Sequence, residues 1–176
     1  MNDMEKMIAD QQEVFSKIAA SSRASETEIT KALTFSIDDK IYGIELPYVR
    51  EILGVPHITL VPAVPYYIMG IINVRSKVVP IVSMRRRFDL EEKPFDEKTC
   101  TIIINYGSYS VGVIVDEVLD VLSVQKKHQA EIPALERVNS NKFIQYILEM
   151  QDGVKLILDI KKLIFDQEMA AEEIDG

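Results

Sequence analysis

The chain has a single cysteine, Cys100, and two histidines, His57 and His128. One cysteine excludes an intramolecular disulfide and fits a reducing compartment. His57 lies in a proline-rich loop and His128 in a lysine-rich one. Neither has a Cys, Asp or Glu at ligand spacing, and no Cys-x-x-Cys occurs, so no metal is expected. Basic charge is scarce: the formal net charge is −8 and the pI about 4.9. An acidic chain is repelled by phosphate, so no nucleic-acid partner is expected, and the one basic run, Arg85-Arg86-Arg87, reads as a solvated face. No apolar stretch approaches the ~20 residues needed to cross a bilayer. The acidic amino terminus lacks the charged start and apolar run of a signal peptide. The expected location is the cytoplasm, without direct membrane insertion.

Catalytic signatures are missing as well. There is no G-x-S-x-G, no P-loop and no G-x-G-x-x-G. Asp116, Glu117 and Asp120 invite a general-acid reading, but Asp116 and Asp120 flank apolar Val118 and Leu119, where carboxylates usually face water. No base, nucleophile or metal accompanies them. Cys100 opens a predicted strand and reads as a core or seam residue. The expectation is a protein that is not an enzyme and uses no cofactor.

What is present is a globular composition, 47% hydrophobic and 27% charged over 176 residues, enough for one ordinary domain or two very small ones sharing a core. Residues 1–30 stand apart. Met4, Met7, Ile8, Gln11, Val14, Phe15 and Ile18 recur at helical spacing and predict a short amphipathic helix over about 3–19, followed by a small, polar linker from Ala19 to Glu28. An isolated helix of this length is barely stable in water, so a frayed arm is expected; the alternative is a helix docked on the body or a partner.

From Ala32 the period changes to 2. Leu33, Phe35 and Ile37 alternate with polar neighbours, Asp38-Asp39-Lys40 makes a turn, and Tyr42, Ile44 and Leu46 follow, a hairpin pattern. The pattern returns. Ala32–Val55 lies over Thr101–Val124 at a shift of 69 without a gap, placing Gly43 on Gly112, Val49 on Val118 and Glu51 on Asp120. Tyr67–Phe88 lies over Phe143–Ile164 at a shift of 76, with Arg75-Ser76 on Gln151-Asp152. The extra seven residues fall in the loop Gln125–Asn141. Each copy, about 60 residues, reads as hairpin, proline loop, hairpin and short helical end, the ends being Met84–Leu90 and Ile160–Phe165. Short strands at this spacing predict two small barrels packed face to face, with a seam where partners bind.

Three stretches, Tyr42–Leu53 (YGIELPYVREIL), Pro62–Pro65 (PAVP) and Gly70–Val82 (GIINVRSKVVPIV), form an ordered set that resembles the CheW family of bacterial chemotaxis coupling proteins. Val111–Asp116 and Leu156–Ile160 are similar to that family's second half. The match spans about residues 31–165. The resemblance implies a mainly β fold of two SH3-like five-stranded barrels, with short helices and an amino-terminal helical arm outside the match. The expected organisation is an arm (1–30), one CheW-like domain (31–165, first lobe about 31–92 and second about 99–165) and an acidic tail (166–176). It also implies a scaffold role, linking the regulatory domain of a CheA-type histidine kinase to the cytoplasmic tip of methyl-accepting chemoreceptors in membrane receptor arrays. By that resemblance Glu51, Arg75 and Val121 match receptor-coupling positions, and Val49 and Gly70 match positions tied to kinase contact. Val49 and Val121 also read as plain core, and Gly70 as a backbone requirement. Ser76 stands where the family usually has Gly, and Ser83 where it usually has Asp. Two other classes stay open: a regulatory β-barrel module binding a small ligand at the seam, and an acidic enzyme, which would need a perturbed acid–base pair.

Overall fold

The period-2 alternation builds strands, and the polar pairs between the runs turn them. The computed structural model describes residues 9–14, 30–125, 128–131 and 142–165. A helical segment, α1 (residues 9–14), precedes β1 (Thr30–Ile37) and β2 (Lys40–Glu45). A 3-10 turn at Leu46–Tyr48 leads into β3 (Val49–Leu53). Then come β4 (Ile68–Val74), β5 (Lys77–Ser83) and α2 (Met84–Arg87). The second half supplies β6 (Cys100–Tyr106), β7 (Tyr109–Val115), β8 (Glu117–Val124), β9 (Gln129–Ala130), β10 (Ile144–Met150), β11 (Gly153–Leu158) and α3 (Ile160–Ile164).

The fold is mainly β, in two SH3-like lobes. One sheet has the order β8-β1-β2-β11-β10-β9 and the other β3-β6-β7-β5-β4. Replacing each strand of the first by its repeat equivalent, and setting aside two-residue β9, reproduces the second order. Register follows too: Gly43 faces Ile157 across the parallel β2–β11 pair, as Gly112 faces Ile81 across β5–β7. The duplication is therefore visible in the pairing of the strands.

The lobes are not the two halves of the sequence, which corrects the division at 31–92 and 99–165. Each sheet takes the first hairpin of one copy and the three later strands of the other. The 3-10 turn after β2 carries the chain out of one sheet into the other, so the copies interlock. Alternation reveals which residues are strands and which face is apolar; it does not name the partner strand.

Between the lobes lies one large apolar cluster. It draws Leu33, Phe35, Tyr42 and Ile44 from one sheet and Val82, Ile102, Ile104 and Val113 from the other. Rings continue it across the seam, with Tyr42 and Phe88 centroids 5.1 Å apart and Phe88 and Phe143 6.0 Å apart. Both helical ends are shorter than expected, and after α2 Asp89 takes a positive φ of 57° that ends the helical run. Both ends are capped alike. Ser83 Oγ accepts from the Arg86 amide and Asp159 Oδ1 from the Lys162 amide, so serine keeps the capping role in the first copy.

Two expectations change. The arginine run is not a solvated face. Arg85 and Arg86 pair with Asp116 and Glu92, and Arg87, 5% exposed, lies between the Tyr67 ring at 4.0 Å and the Phe143 ring at 4.4 Å. The arm is not frayed where it is described: Val14 joins the central cluster and Gln11 Nε2 donates to Cys100 Sγ at 3.3 Å. The tail at 166–176 and most of the loop Gln125–Asn141 lie outside the described residues.

Candidate functional site

Glu51 sits on β3 and Arg75 follows β4, the two opposite edges of the five-stranded sheet. The sheet curls until those edges meet, and Arg75 Nη2 stands 3.1 Å from Glu51 Oε2. The pair is lopsided: the Glu51 side chain is 12% exposed and that of Arg75 is 70% exposed. A register slip between Val49 and Glu51 sets Glu51 opposite Ile103 and leaves Arg50 at the surface. The turn that presents Arg75 has two central residues, Arg75 at φ 51° and Ser76 at φ 66°. That is the left-handed pair preferred by right-twisted hairpins, and serine accepts it at a strain of about 1 kcal/mol.

In the other lobe the position of Arg75 is taken by an uncharged glutamine. The equivalents of the pair are Asp120 and Gln151, and Asp120 Oδ1 accepts from the Val121 amide at 2.8 Å. Thr34 Oγ1 bonds both the amide and the carbonyl of Asp120 at the matching slip in β8. That slip sets Val118 opposite Phe35 and Val121 opposite Leu33, so two valines three residues apart pack on the same seam cluster. Sequence reasoning named Val121 and missed Val118; a strict alternation puts residues three apart on opposite faces, and only a bulge returns them to one.

Val49 is 8% exposed within the seam cluster, as its core reading required. Gly70 lies at a slip in β4 with φ 150°. Thr59 runs beside it, exchanging two 2.9 Å backbone hydrogen bonds with Ile71. A Cβ on Gly70 would stand 2.2 Å from the Thr59 carbonyl oxygen. The loop so held leaves Leu60 83% exposed. Val49, Glu51, Arg75 and Gly70 thus all belong to one lobe, and Val121 to the other.

Asp116 is held as an ion-paired carboxylate. Asp116 receives Arg85 Nε at 2.9 Å and Nη2 at 2.7 Å, and the Asp38 amide at 2.8 Å. Burial pushes the Asp116 carboxyl up, but the bonds from Arg85 and Asp38 and the charges of Arg85 and Lys93 outweigh it and hold the group below the ordinary carboxylate range. A carboxyl so depressed stabilises the fold fully above the unfolded pKa of about 3.9, and that contribution is lost as pH falls through the folded value. Asp116→Asn is therefore expected to lower stability at pH 7 by roughly 1–3 kcal/mol, the usual range for a charged hydrogen bond. The gap to the native chain should close below about pH 4, as read by thermal melts from pH 7 to pH 2.5. A gap constant over that range would remove the charge from the account.

Cys100 is buried, which pushes its thiol up and away from the reactive thiolate. His57 is exposed in its loop and His128 half-buried, and among the described residues no three His, Cys, Asp or Glu converge to hold a metal. The seam carries packed side chains, and the polar cavity beside Arg85 and Asp116 holds about 20 Å³, room for one water. A small-ligand module at the seam finds no support there. No helix among the described residues is long and apolar enough to cross a membrane.

Interlocked SH3-like lobes around an apolar seam, with an ion pair joining the edges of one lobe, define a scaffold that works through its surfaces. The chain belongs to the CheW family: residues 31–168 match the family's CheW-like domain. It is 31% identical over 150 residues to the chemotaxis protein CheW of Klebsiella aerogenes, covering 85% of this chain and 90% of that one. It is 31% identical over 134 residues to CheW of Bacillus subtilis, covering 76% and 86%. The crystal structure of the scaffolding protein CheW from Thermoanaerobacter tengcongensis matches with a TM-score of 0.73 at 26% identity, over 80% of this chain and 95% of that one. The chain is a chemotaxis coupling adaptor of that family.

Proposed function

We propose that this chain joins the cytoplasmic tip of methyl-accepting chemoreceptors to the regulatory domain of a CheA-type histidine kinase, in the cytoplasm at the receptor arrays, and carries out no reaction itself. The observation that carries this is the Glu51–Arg75 pair. It joins the two edge strands of its lobe and holds the Arg75 guanidinium through one nitrogen, Nη2, while the side chain stays 70% exposed. An anchored, exposed arginine is suited to a protein interface, where arginine is enriched among the residues that dominate binding. Glu51, Arg75 and Val121 form the receptor side in this reading.

Val49 and Gly70 belong to the kinase side and act through shape. Val49 supports β3 from beneath, and Gly70 lets the Thr59 strand lie close enough to present Leu60. The functional unit is the CheW-like domain at 31–165, with 1–30 and 166–176 as appendages. The test mixes the purified chain with a receptor cytoplasmic hairpin fragment and a CheA regulatory domain, and follows complex formation by size-exclusion chromatography. Co-elution of all three is expected. Failure of the chain to retain either partner would overturn the coupling role.

A further inference from the structure

Two residues of α1 meet the body among the described residues. Val14 is buried in the seam cluster, and the Gln11 amide donates to Cys100 at the start of β6. The Val118 backbone amide faces the same thiol. Val118 is therefore a near neighbour of the docked helix, and it shares the apolar face of β8 with Val121 through the bulge described above. β8 is an edge strand, paired on one side by β1. Asp10, Gln12 and Glu13 are exposed while Gln11 and Val14 face the body, so the helix turns its acidic side to water.

We propose that the arm is a built-in competitor for this face: α1 occupies the apolar surface around Val118 that a partner's amphipathic helix would use, and must leave before that partner docks. The inference rests on Val121 belonging to the receptor side. A helix seated on this surface shows directly what shape the surface accepts. Among the described residues the arm meets the body through Val14 and the Gln11–Cys100 hydrogen bond, and a partner that binds the same face more tightly displaces it. The apparent affinity of a partner then falls by the fraction of molecules whose face is free.

The test uses the full chain. Val14→Asp places a charge in the seam and should release the arm, and Gln11→Ala is a milder variant for use if Val14→Asp compromises folding. Cys100, the sole thiol, reports the release: its alkylation should speed up in both variants without any partner. Affinity for a purified receptor cytoplasmic hairpin fragment should rise roughly 10-fold where the arm was docked in nine molecules of ten. Unchanged fragment affinity in a variant whose Cys100 has become reactive would overturn competition, and an unreactive Cys100 in both variants would overturn docking over β6. Arg75→Ala in the same assay separates the two readings. If it weakens the fragment while arm release does nothing, the receptor site stands and the competitor fails. If the fragment binds none of the chains, both fail.

Discussion

Replacing Arg75 by alanine is expected to weaken binding of a receptor hairpin fragment roughly 30-fold while leaving the melting temperature within about 4 °C. The two effects separate because the guanidinium is mostly in water. An exposed ion pair contributes about 0–1 kcal/mol to stability, and 1 kcal/mol moves the melt of a chain this size by about 2–4 °C. At an interface the same side chain can carry 2 kcal/mol or more, and 1.4 kcal/mol is a factor of ten. Glu51 is the asymmetric partner, with its carboxylate nearly covered at 12% exposure. Glu51→Gln keeps the shape and removes the charge, so it should reduce receptor binding less than Arg75→Ala does. Exchanging the two charges is a poor test, since Glu51→Arg would force a larger cation into that covered site. Titration calorimetry with the fragment decides: binding within a factor of about three of the native value would detach Arg75 from the receptor surface, whatever the family.

Gly70→Ala is expected to cost about 3 kcal/mol, a fall of roughly 6–12 °C in the melting temperature. Two effects add. The residue sits at φ 150°, where a side chain is strained, and its new Cβ would meet the Thr59 carbonyl oxygen at 2.2 Å and Ile58 Cγ2 at 2.7 Å. The backbone of residue 59 is hydrogen-bonded on both sides to Ile71, so it cannot retreat without losing the bridge. Gly112→Ala is the control. Its nearest obstacle is the tip of Ile81, Cδ1 at 2.6 Å, which a rotamer change can move, so a smaller loss of about 1–2 kcal/mol is expected. Differential scanning calorimetry of both variants ranks them. A Gly70→Ala melt within 2 °C of the native chain would show that loop and strand do not approach as closely as described. Any loss of kinase binding on substituting Gly70 should then be read through displacement of the loop that carries Leu60.

Much of this was written in local pattern. The turns at Asp38-Asp39 and Arg75-Ser76, the alternation of Leu33, Phe35 and Ile37, and the two superimposed repeats each depend on residues near one another in sequence, and each lies where the pattern put it. The family resemblance marks Glu51 and Arg75 together as receptor-coupling positions, and the closing of the sheet brings them into contact. The fates of Arg87, Val14 and Val118 were not. A cationic run reads as solvent-facing until two aromatic rings from distant segments close over one member, and a short helix reads as frayed until a seam exists to receive it. Val118 needed a bulge, whose signature is a hydrogen bond from Thr34 to the Asp120 carbonyl, two residues 86 apart in sequence.

By itself the sequence determined a mainly β, twice-repeated chain of the CheW family, because side-chain period, turn residues and ordered family stretches are properties of neighbours along the chain. Only the tertiary structure decided which copy's hairpin closes which lobe, that Glu51 and Arg75 meet where the two edges of one lobe close, with Arg75 still mostly in water, and that Gln11 and Val14 reach the body. Strand partners, barrel closure and helix docking depend on apolar faces and edges meeting through space, and the free energy that selects among them comes from burial shared by residues far apart in sequence.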